Sequence, residues 1–547
     1  MSPREPSARQ GLSHLVGTDQ LAFDWPGKKE EVSTTMPHTG TVFLVGGGPG
    51  DPGLITRRAA ECLARADLVL YDALIHTKLL EFCRRDASVE FVGKRAGRAA
   101  ARQDAIHRKL LEGARAGLTV VRLKGGDPYL FGRGSEEAEY LSAHGIAFEV
   151  VPGVPSPLAA TSYAGISLSH RDLASSIAYV TATESPTKDR SAHDWSKLAT
   201  ATQTLVIFMG LRKLKSLMQT LIEHGRDPAC PAAVIQSASL PVQRTVTGTV
   251  ATIAERAGEA GIGMPALTVV GDVVTLRSQL RWYDRKPLFG KRVLVTRAEG
   301  QSVSLVDALR YAGAEALAFP TIRIAAPDDP APLCNAVEHV GDYDWVVFTS
   351  VNGVERFFDE LDRQQGDSRR LGPVRIASIG PATAAALQVR GLRPDVTPQE
   401  FRGERVAEAM VALHHGSMNG QTVLLPRAAV ARSALPDALR EAGARVDVVP
   451  AYQSLPPDAA TCEALRATLS AGELDIATFT SPSTVQNAVA AIGAGAADRI
   501  NALTVAVIGP VTRDAAQKLG IRVDVMPERY TIDGLLARLE EHVGETS

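Results

Sequence analysis

The chain has 547 residues, a net charge of −2, 45% hydrophobic residues and 22% charged residues. This length predicts three or four domain-sized units, and the composition is that of a globular protein with full cores. The balanced charge excludes a general basic field for nucleic acid. No apolar run reaches the roughly 18 residues that a membrane-spanning helix needs.

The five cysteines are far apart and form no C-x-x-C pair. This spacing argues against a disulfide framework or a zinc site, so we expect no metal and a cytoplasmic location. Residues 1–38 are polar, mixed in charge and without an apolar core segment. We interpret them as a flexible N-terminal tail and not as a signal peptide.

Short apolar runs alternate with helical segments from Thr41 to about Arg277. This rhythm predicts an α/β fold with largely covered sheets. One helix is predicted over Ser135 to His144. The predicted strands are Val42–Val45, Leu68–Tyr71, Thr119–Leu123, Ala147–Val151, Leu205–Met209 and Leu267–Val270.

A glycine-rich turn, Gly-Gly-Gly-Pro-Gly-Asp-Pro-Gly over residues 46–53, follows the first predicted strand. It satisfies the dinucleotide pattern G-x-G-x-x-G, and Asp72 stands 19 residues after Gly53, about where a ribose-binding carboxylate is expected. However, Pro49 and Pro52 remove backbone donors that a phosphate would need. The turn alone therefore leaves three possibilities open: a dinucleotide site, a site for another small ligand, or a structural turn.

Two more glycine turns follow predicted strands, Lys124-Gly125-Gly126-Asp127-Pro128 and Val151-Pro152-Gly153-Val154. Three glycine turns at strand ends can converge on one cleft. Together with Tyr71-Asp72, Val92-Gly93-Lys94-Arg95 and Ser169-His170-Arg171, they resemble the uroporphyrinogen-III C-methyltransferases. This family belongs to the tetrapyrrole methylases and uses S-adenosylmethionine.

The resemblance covers roughly residues 40–280 and implies a methyltransferase over 39–284, with a two-domain fold and the ligands in the interdomain cleft. It implies that S-adenosylmethionine lies against Pro49, Gly125, Gly126, Asp127, Leu130, Pro155, Ser156, Met209 and Ala238. It also implies binding of the carboxylates of an octacarboxylate macrocycle by Arg95, Arg133, His170 and Arg171. The chain departs from the family's pattern at Pro155, Ala182 and Ala238.

Asp72 and Lys94 match positions to which the family assigns proton transfer. A positioned base is useful because a proton must leave the macrocycle after a pyrrole carbon accepts the methyl group. From the residues alone, Asp72 could instead be a turn carboxylate, and Lys94 could belong to a solvated basic pair.

An internal repeat marks the second half, after a predicted linker at 285–290 and a new strand over Arg292–Thr296. Residues 292–322 align without a gap on residues 422–452. The sequence Phe-Thr-Ser and then the pattern Ile-Gly-Pro-x-Thr also recur, so offsets of 130, 131 and 129 residues hold in order. We therefore predict two similar α/β lobes that enclose a ligand cleft.

The repeated turns, together with Pro450-Ala451-Tyr452-Gln453, resemble uroporphyrinogen-III synthase over about residues 290–545. The resemblance implies a synthase over 291–547, with lobe one at 291–324 plus 452–547 and lobe two at 325–451. It places Tyr452 in the cleft as a catalytic candidate. The expected substrate-binding hydroxyls belong to Thr349, Ser350, Thr383, Ser481 and Thr512. Alternatively, the threonines cap helices and Tyr452 packs between the lobes.

The two resemblances imply a bifunctional enzyme. The second half would cyclise hydroxymethylbilane to uroporphyrinogen III, and the first would methylate it twice, giving precorrin-2 for sirohaem, cobalamin or haem d1. The expected partners are tetrapyrrole substrates, with no nucleic acid and no membrane, in a homodimer formed through the methyltransferase half. The alternative is an NAD-dependent oxidoreductase joined to a non-catalytic tetrapyrrole-sensing module.

Overall fold

A computed structural model describes residues 39–84, 86–93, 103–183, 192–296, 303–400, 402–431 and 433–546. Lys94 and Arg95 lie outside these residues. The strands are β1 Val42–Gly46, β2 Leu68–Tyr71, β3 Ser88–Phe91, β4 Val120–Lys124, β5 Phe148–Val151, β6 Ile177–Thr181, β7 Thr204–Phe208, β8 Pro231–Gln236, β9 Arg244–Thr249, β10 Ala266–Val270, β11 Arg292–Val295, β12 Glu315–Ala318, β13 Arg323–Ala325, β14 Trp345–Phe348, β15 Arg375–Ser378, β16 Thr422–Ala428, β17 Arg445–Leu455, β18 Ile476–Phe479 and β19 Thr504–Val507.

The α-helices lie between and around these strands. They are α1 Arg57–Arg65, α2 Gln103–Arg115, α3 Gly134–Ala143, α4 Ser156–Ala164, α5 Trp195–Ala201, α6 Leu214–Glu223, α7 Ile253–Glu259, α8 Arg277–Leu280, α9 Val303–Tyr311, α10 Ala331–Glu338, α11 Val351–Arg363, α12 Pro381–Val389, α13 Gly403–Leu413, α14 Ala434–Glu441, α15 Ala459–Ser470, α16 Pro482–Ile492, α17 Ala496–Asn501, α18 Pro510–Lys518 and α19 Ile532–Thr546. No helix in the described ranges is long and apolar enough to cross a membrane.

The first sheet is parallel, with the strand order β3-β2-β4-β1-β5. Its central strands β1 and β4 are almost wholly buried, as expected for a parallel sheet covered on both faces. The predicted α/β fold is confirmed. Each of the six strands predicted in this half, and the helix predicted at 135–144, lies within one residue of its observed bounds.

The second sheet is mixed, with the order β6-β7-β10-β8-β9. Only β6 and β7 are parallel, and the other three pairings are antiparallel. The edge strand β9 is only partly buried and carries small and polar side chains, which suits an edge. The two sheets of the first half thus differ in type, a distinction that the alternation of apolar runs does not predict.

The second half contains two further sheets with matching strand orders, β12-β11-β18-β19 in lobe one and β13-β17-β16-β14-β15 in lobe two. By the sequence repeat, β11 corresponds to β16, β12 to β17, β14 to β18 and β15 to β19. Each lobe therefore combines the start of one repeat with the end of the other.

The chain crosses between the lobes through β13 and the long strand β17. These two strands pair antiparallel, with Arg323 opposite Leu455. The predicted lobe boundaries at 324/325 and 451/452 fall inside these strands, because the crossing is itself a two-stranded ribbon of the lobe two sheet.

The segment predicted as a linker, residues 285–290, is packed. Leu288 is fully buried in the core of lobe one, and its backbone N–H donates to the Ala312 carbonyl at 3.0 Å. Across the junction, Lys78 Nζ lies 2.6 Å from Asp307 Oδ1. The two halves are therefore in contact and not joined by a loose tether.

Three glycine turns meet at the carboxyl edge of the first sheet. A Cβ atom added to Gly153 would lie 2.3 Å from the Gly126 carbonyl oxygen and 2.8 Å from the Gly46 carbonyl carbon. Both atoms belong to the backbone and cannot move as a flexible side chain would. Only glycine permits this approach.

We predict that Gly153→Ala destabilises the first half by about 2 kcal/mol, since overpacking a fixed site costs on this order. Gly258→Ala is the control, because Gly258 lies in α7 with no atom within 4 Å of its added Cβ. In a helix that change is neutral or stabilising by up to about 1 kcal/mol. The stability of the first half in both variants is measured by urea unfolding, with hydrogen exchange in residues 39–284 as the signal. Equal stability of the two variants would contradict the prediction.

Candidate functional site

A cavity of about 490 Å³ lies between the two sheets of the first half. On one side it meets the carboxyl ends of β1, β2 and β4, where ligands of parallel α/β sheets bind. On the other it meets the ends of β7 and β8 and the start of β10. Its wall is formed by Gly48, Pro49, Gly50, Ala73, Leu74, Ile75, His76, Thr77, Gly125, Gly126, Ser156, Phe208, Met209, Ile235, Ser237, Ala238, Leu240, Pro265, Ala266 and Leu267.

Glycine backbone forms one wall of the cavity. Gly126 N donates to the Gly48 carbonyl at 2.6 Å, and Gly48 N donates to the Gly126 carbonyl at 3.2 Å. Both residues have left-handed φ angles, 78° and 68°, which glycine adopts without steric cost. The wall therefore exposes backbone atoms that a ligand can approach closely.

The opposite wall is mostly apolar and includes two strained residues. Met209 and Ser237 have φ angles of 54° and 47°. Such conformations are costly for residues other than glycine and cluster at ligand sites, where the surrounding structure enforces them. Met209 and Ser237 thus mark the loops after β7 and β8, which line the cavity.

One cluster of polar contacts holds the two walls together. Asp51 N donates to Ser239 Oγ at 3.0 Å, and the Tyr163 hydroxyl donates to Asp51 Oδ2 at 2.6 Å. Burial, together with the neighbouring Asp51 carboxylate, raises the pKa of Tyr163. The hydroxyl therefore stays protonated and keeps this bond across the physiological pH range.

The predicted cofactor residues divide into two groups. Those that line the cavity are Pro49, Gly125, Gly126, Ser156, Met209 and Ala238, while Asp127, Leu130 and Pro155 lie outside its wall. Asp127 accepts hydrogen bonds from the backbone N–H groups of Tyr129, Leu130 and Gly153, at 2.8, 3.2 and 3.2 Å. Its carboxylate therefore fixes the turns behind the wall.

Asp72 follows β2 and is held by a buried arginine. Arg122 Nη2 lies 2.8 Å from both carboxylate oxygens of Asp72, and the Arg122 side chain is 2% exposed while that of Asp72 is 28% exposed. The carboxylate is thus fixed at the end of the strand, immediately before the cavity residues Ala73 to Thr77.

Arg122 belongs to a four-residue charged cluster that the sequence analysis missed. Its Nε donates to Glu137 Oε1 at 3.2 Å, and Lys124 Nζ lies 3.0 Å from both oxygens of the fully buried Glu137. Burial, followed by the neighbouring Arg122 charge, lowers the pKa of Lys124. Two basic residues at alternate positions of an apolar strand share one face and could have signalled a buried acidic partner.

Each oxygen of Asp72 that pairs with Arg122 keeps a second lone pair, so this contact leaves room for a ribose hydroxyl as well as for a substrate proton. Among the predicted substrate residues, Arg133 forms an exposed ion pair with Glu136 at 2.6 Å. His170 Nδ1 accepts from Asp172 N at 3.2 Å in a surface turn, and Arg171 is exposed. None of the three lines the cavity.

In the second half, Tyr452 on β17 lies beside the start of α11. Its hydroxyl is 3.1 Å from Ser350 Oγ, which also caps α11 by accepting from Gly353 N at 3.0 Å. Tyr452 is 8% exposed and packs in the core of lobe two. It therefore packs within a lobe and not between lobes, while Thr349 immediately precedes the capping serine.

The other predicted hydroxyls occupy equivalent places in the two lobes. Ser481 caps α16 by accepting from Thr484 N at 3.3 Å. Thr383 and Thr512 are 3% exposed, and each is the third residue of its helix, α12 or α18. The alternative that these threonines cap helices is wrong, because glycines occupy both capping positions. Each helix begins with a proline that has no N–H, so the free amides are those of the second and third residues, which have no side-chain cap.

Arg427, at the carboxyl end of β16, is a further buried cation near Tyr452. It is 7% exposed, and burial lowers its pKa, while the neighbouring Tyr452 acts in the opposite direction. The repeat aligned Arg427 with Arg297, which lies outside the described residues, but gave it no role. The presence of an arginine at the same strand end in both repeats could have indicated a functional role.

Among the described residues, no group of three His, Cys, Asp or Glu side chains is placed to hold a metal ion. All five cysteines are free.

Comparison with known proteins assigns a family to each half. The family model of the tetrapyrrole (corrin/porphyrin) methylases matches residues 41–254, and that of uroporphyrinogen-III synthase HemD matches residues 303–537. The chain is 38% identical to the porphyrin biosynthesis protein HemD of Ruminiclostridium josui, over 92% of this chain and 98% of that protein. It is 39% identical to the uroporphyrinogen-III C-methyltransferase of Bacillus subtilis, over 69% of this chain and 78% of that protein.

Among solved structures, a uroporphyrin-III C-methyl transferase of Thermus thermophilus complexed with S-adenyl homocysteine is 40% identical. The match covers 43% of this chain and 100% of the Thermus thermophilus chain, with a TM-score of 0.38. The chain thus belongs to the tetrapyrrole methylases through its first half and to the uroporphyrinogen-III synthase family through its second, and is a tetrapyrrole biosynthesis enzyme with a methyltransferase part and a synthase part.

Proposed function

We propose that the second half converts hydroxymethylbilane to uroporphyrinogen III and that the first half transfers two methyl groups from S-adenosylmethionine to this product, giving precorrin-2. The observation that carries the proposal is the cavity between the two sheets, with glycine backbone on one wall and Asp72 at its margin. The names of the relatives that span most of the chain support both steps.

The cavity residues suit S-adenosylmethionine. Its volume of about 490 Å³ is in the range of small-molecule sites. Gly125 and Gly126 leave room for the ligand beside the backbone, and Met209, Phe208 and Leu267 offer apolar surface to a flat base. When bound there, the co-substrate supplies an activated methyl group. The protein's contribution is then to hold donor and acceptor in line.

Asp72 is proposed to accept the proton that leaves the macrocycle after methyl transfer. Arg122 fixes the carboxylate orientation through both oxygens, so little reorganisation is needed when a substrate proton arrives. Lys94 is proposed as the second proton-transfer group, and Arg95 as a contact of the substrate carboxylates.

The synthase half is proposed to bind hydroxymethylbilane between its lobes. Uncapped amides at the starts of α12 and α18 suit the negatively charged side chains of the substrate. Arg427 provides a cation beside Tyr452. Whichever of the Tyr452 and Ser350 hydroxyls accepts within their pair keeps its own proton, which it can donate to the hydroxyl group that leaves before ring closure.

We predict that Asp72→Asn lowers the methylation rate of supplied uroporphyrinogen III by roughly 10²-fold, the usual size of a lost proton acceptor. Asp86→Asn is the control, since it also removes an arginine-paired carboxylate, at the surface. Binding of S-adenosylhomocysteine by calorimetry checks that the cavity is intact. An unchanged methylation rate in Asp72→Asn with intact binding would remove Asp72 from the mechanism.

Met209→Ala is expected to weaken S-adenosylhomocysteine binding by about 1 kcal/mol, or roughly fivefold in the dissociation constant, because apolar cavity surface is lost. Met209 is 51% exposed. Leu280, 50% exposed on α8 and outside the cavity wall, gives a matched control as Leu280→Ala. Equal affinities in the two variants, measured by calorimetry, would place the ligand elsewhere.

Tyr452→Phe is expected to slow cyclisation of hydroxymethylbilane about tenfold, the effect of losing one hydrogen bond, and to leave methylation unchanged. Tyr343→Phe also removes a hydroxyl from lobe two, one that bonds Asp447 Oδ2 at 3.0 Å. The type III fraction of the product, separated by chromatography, is the measurement. If both variants cyclise at the original rate, Tyr452 has no catalytic part.

A further inference from the structure

A second cavity, of about 680 Å³, lies between the two halves of the chain. Its wall on the synthase side includes all four residues of β12, the edge strand of the lobe one sheet, together with α9 residues. Its wall on the methyltransferase side includes the aromatic residues Tyr163, Trp282 and Tyr283.

This junction cavity adjoins the methyltransferase cavity. His76, Thr77 and Leu240 line both. Burial, followed by the Arg310 charge, lowers the pKa of His76, so its ring is neutral at neutral pH. These three shared residues place the junction cavity directly beside the site where methyl transfer is proposed.

The acidic groups at the junction already have partners. Asp51 accepts from Gly53 N and from the Tyr163 hydroxyl, at 2.8 and 2.6 Å. Asp307 binds Lys78, and Glu315 accepts from Arg292 Nε at 2.7 Å. Asp307 and Glu315 are therefore paired with cations, whereas Asp51 is hydrogen-bonded by neutral donors.

Arg310, by contrast, is incompletely satisfied. Its Nη1 is buried without a hydrogen-bond acceptor among the described residues, and its ion contact with Asp307 Oδ1 spans 4.0 Å. A buried guanidinium nitrogen without an acceptor is costly, and a carboxylate is its best-matched partner. The rest of the Arg310 side chain, which is 27% exposed, lines the cavity and brings a positive charge to it, near the exposed ring of Trp282.

We propose that the junction cavity binds a carboxylate-bearing tetrapyrrole in transit from the synthase half to the methyltransferase half, with Arg310 pairing with one of its carboxylates. The proposal rests on the proposed function of the two halves. The exposed ring of Trp282 would face a pyrrole ring, and the side of the cavity at His76, Thr77 and Leu240 would lie next to the methylation site. The intermediate would then pass between sites with little release to solvent.

Isotope dilution tests the proposal in the whole chain. Labelled hydroxymethylbilane and S-adenosylmethionine are supplied with an excess of unlabelled uroporphyrinogen III, and the label in the methylated product is measured by mass spectrometry. The original protein is expected to give more labelled methylated product than would form if its labelled uroporphyrinogen III first mixed completely with the unlabelled pool. The amount that complete mixing would give is the mixing value. Arg310→Gln should reduce the label to the mixing value, and Arg310→Lys should restore part of it.

Arg499→Gln, an exposed arginine of lobe one, is the control and should retain the original labelling. Each half-reaction, measured alone with supplied substrate, should keep its rate in Arg310→Gln. Labelling at the mixing value in the original protein, unchanged labelling in Arg310→Gln, or loss of a half-reaction in that variant would each overturn the proposal. Absence of both half-reactions in the original protein would instead refute the proposed function.

Discussion

The close backbone contact among Gly46, Gly126 and Gly153 is the constraint on which the methyltransferase half depends. It brings together the ends of β1, β4 and β5, and any side chain at Gly153 would force them apart. Because the strands are parallel, their ends share one edge, and the loops that follow form one wall of the cavity. Asp127 reinforces this arrangement by bonding the backbone of two of the turns.

In the second half the organising feature is the exchange of repeats between lobes. Each lobe contains the first strands of one repeat and the last strands of the other, and the four equivalent strands follow the same order in both lobes. The antiparallel pair β13 and β17 joins them. Equivalent helix starts, capped by Ser350 and Ser481 or left uncapped after Gly380 and Gly509, therefore recur in both lobes.

The sequence predicted the strands of the first half closely because long apolar runs and glycine turns are local signals. It did not predict the cluster of Arg122, Glu137 and Lys124, since an ion pair needs a partner from another element, here α3. The junction was missed for the same reason. A charged, proline-containing segment suggests a linker, whereas burial of Leu288 depends on the lobe that it meets. The sequence also did not predict that the Asp127 carboxylate accepts hydrogen bonds from the backbone of two turns.

We propose that one chain performs two consecutive steps on the same tetrapyrrole. The most direct measurement is the mass and isomer type of the product formed by the whole chain from hydroxymethylbilane and methyl-labelled S-adenosylmethionine. The expected product is a type III tetrapyrrole that carries two labelled methyl groups. A product without labelled methyl groups, or only the type I isomer, would contradict it.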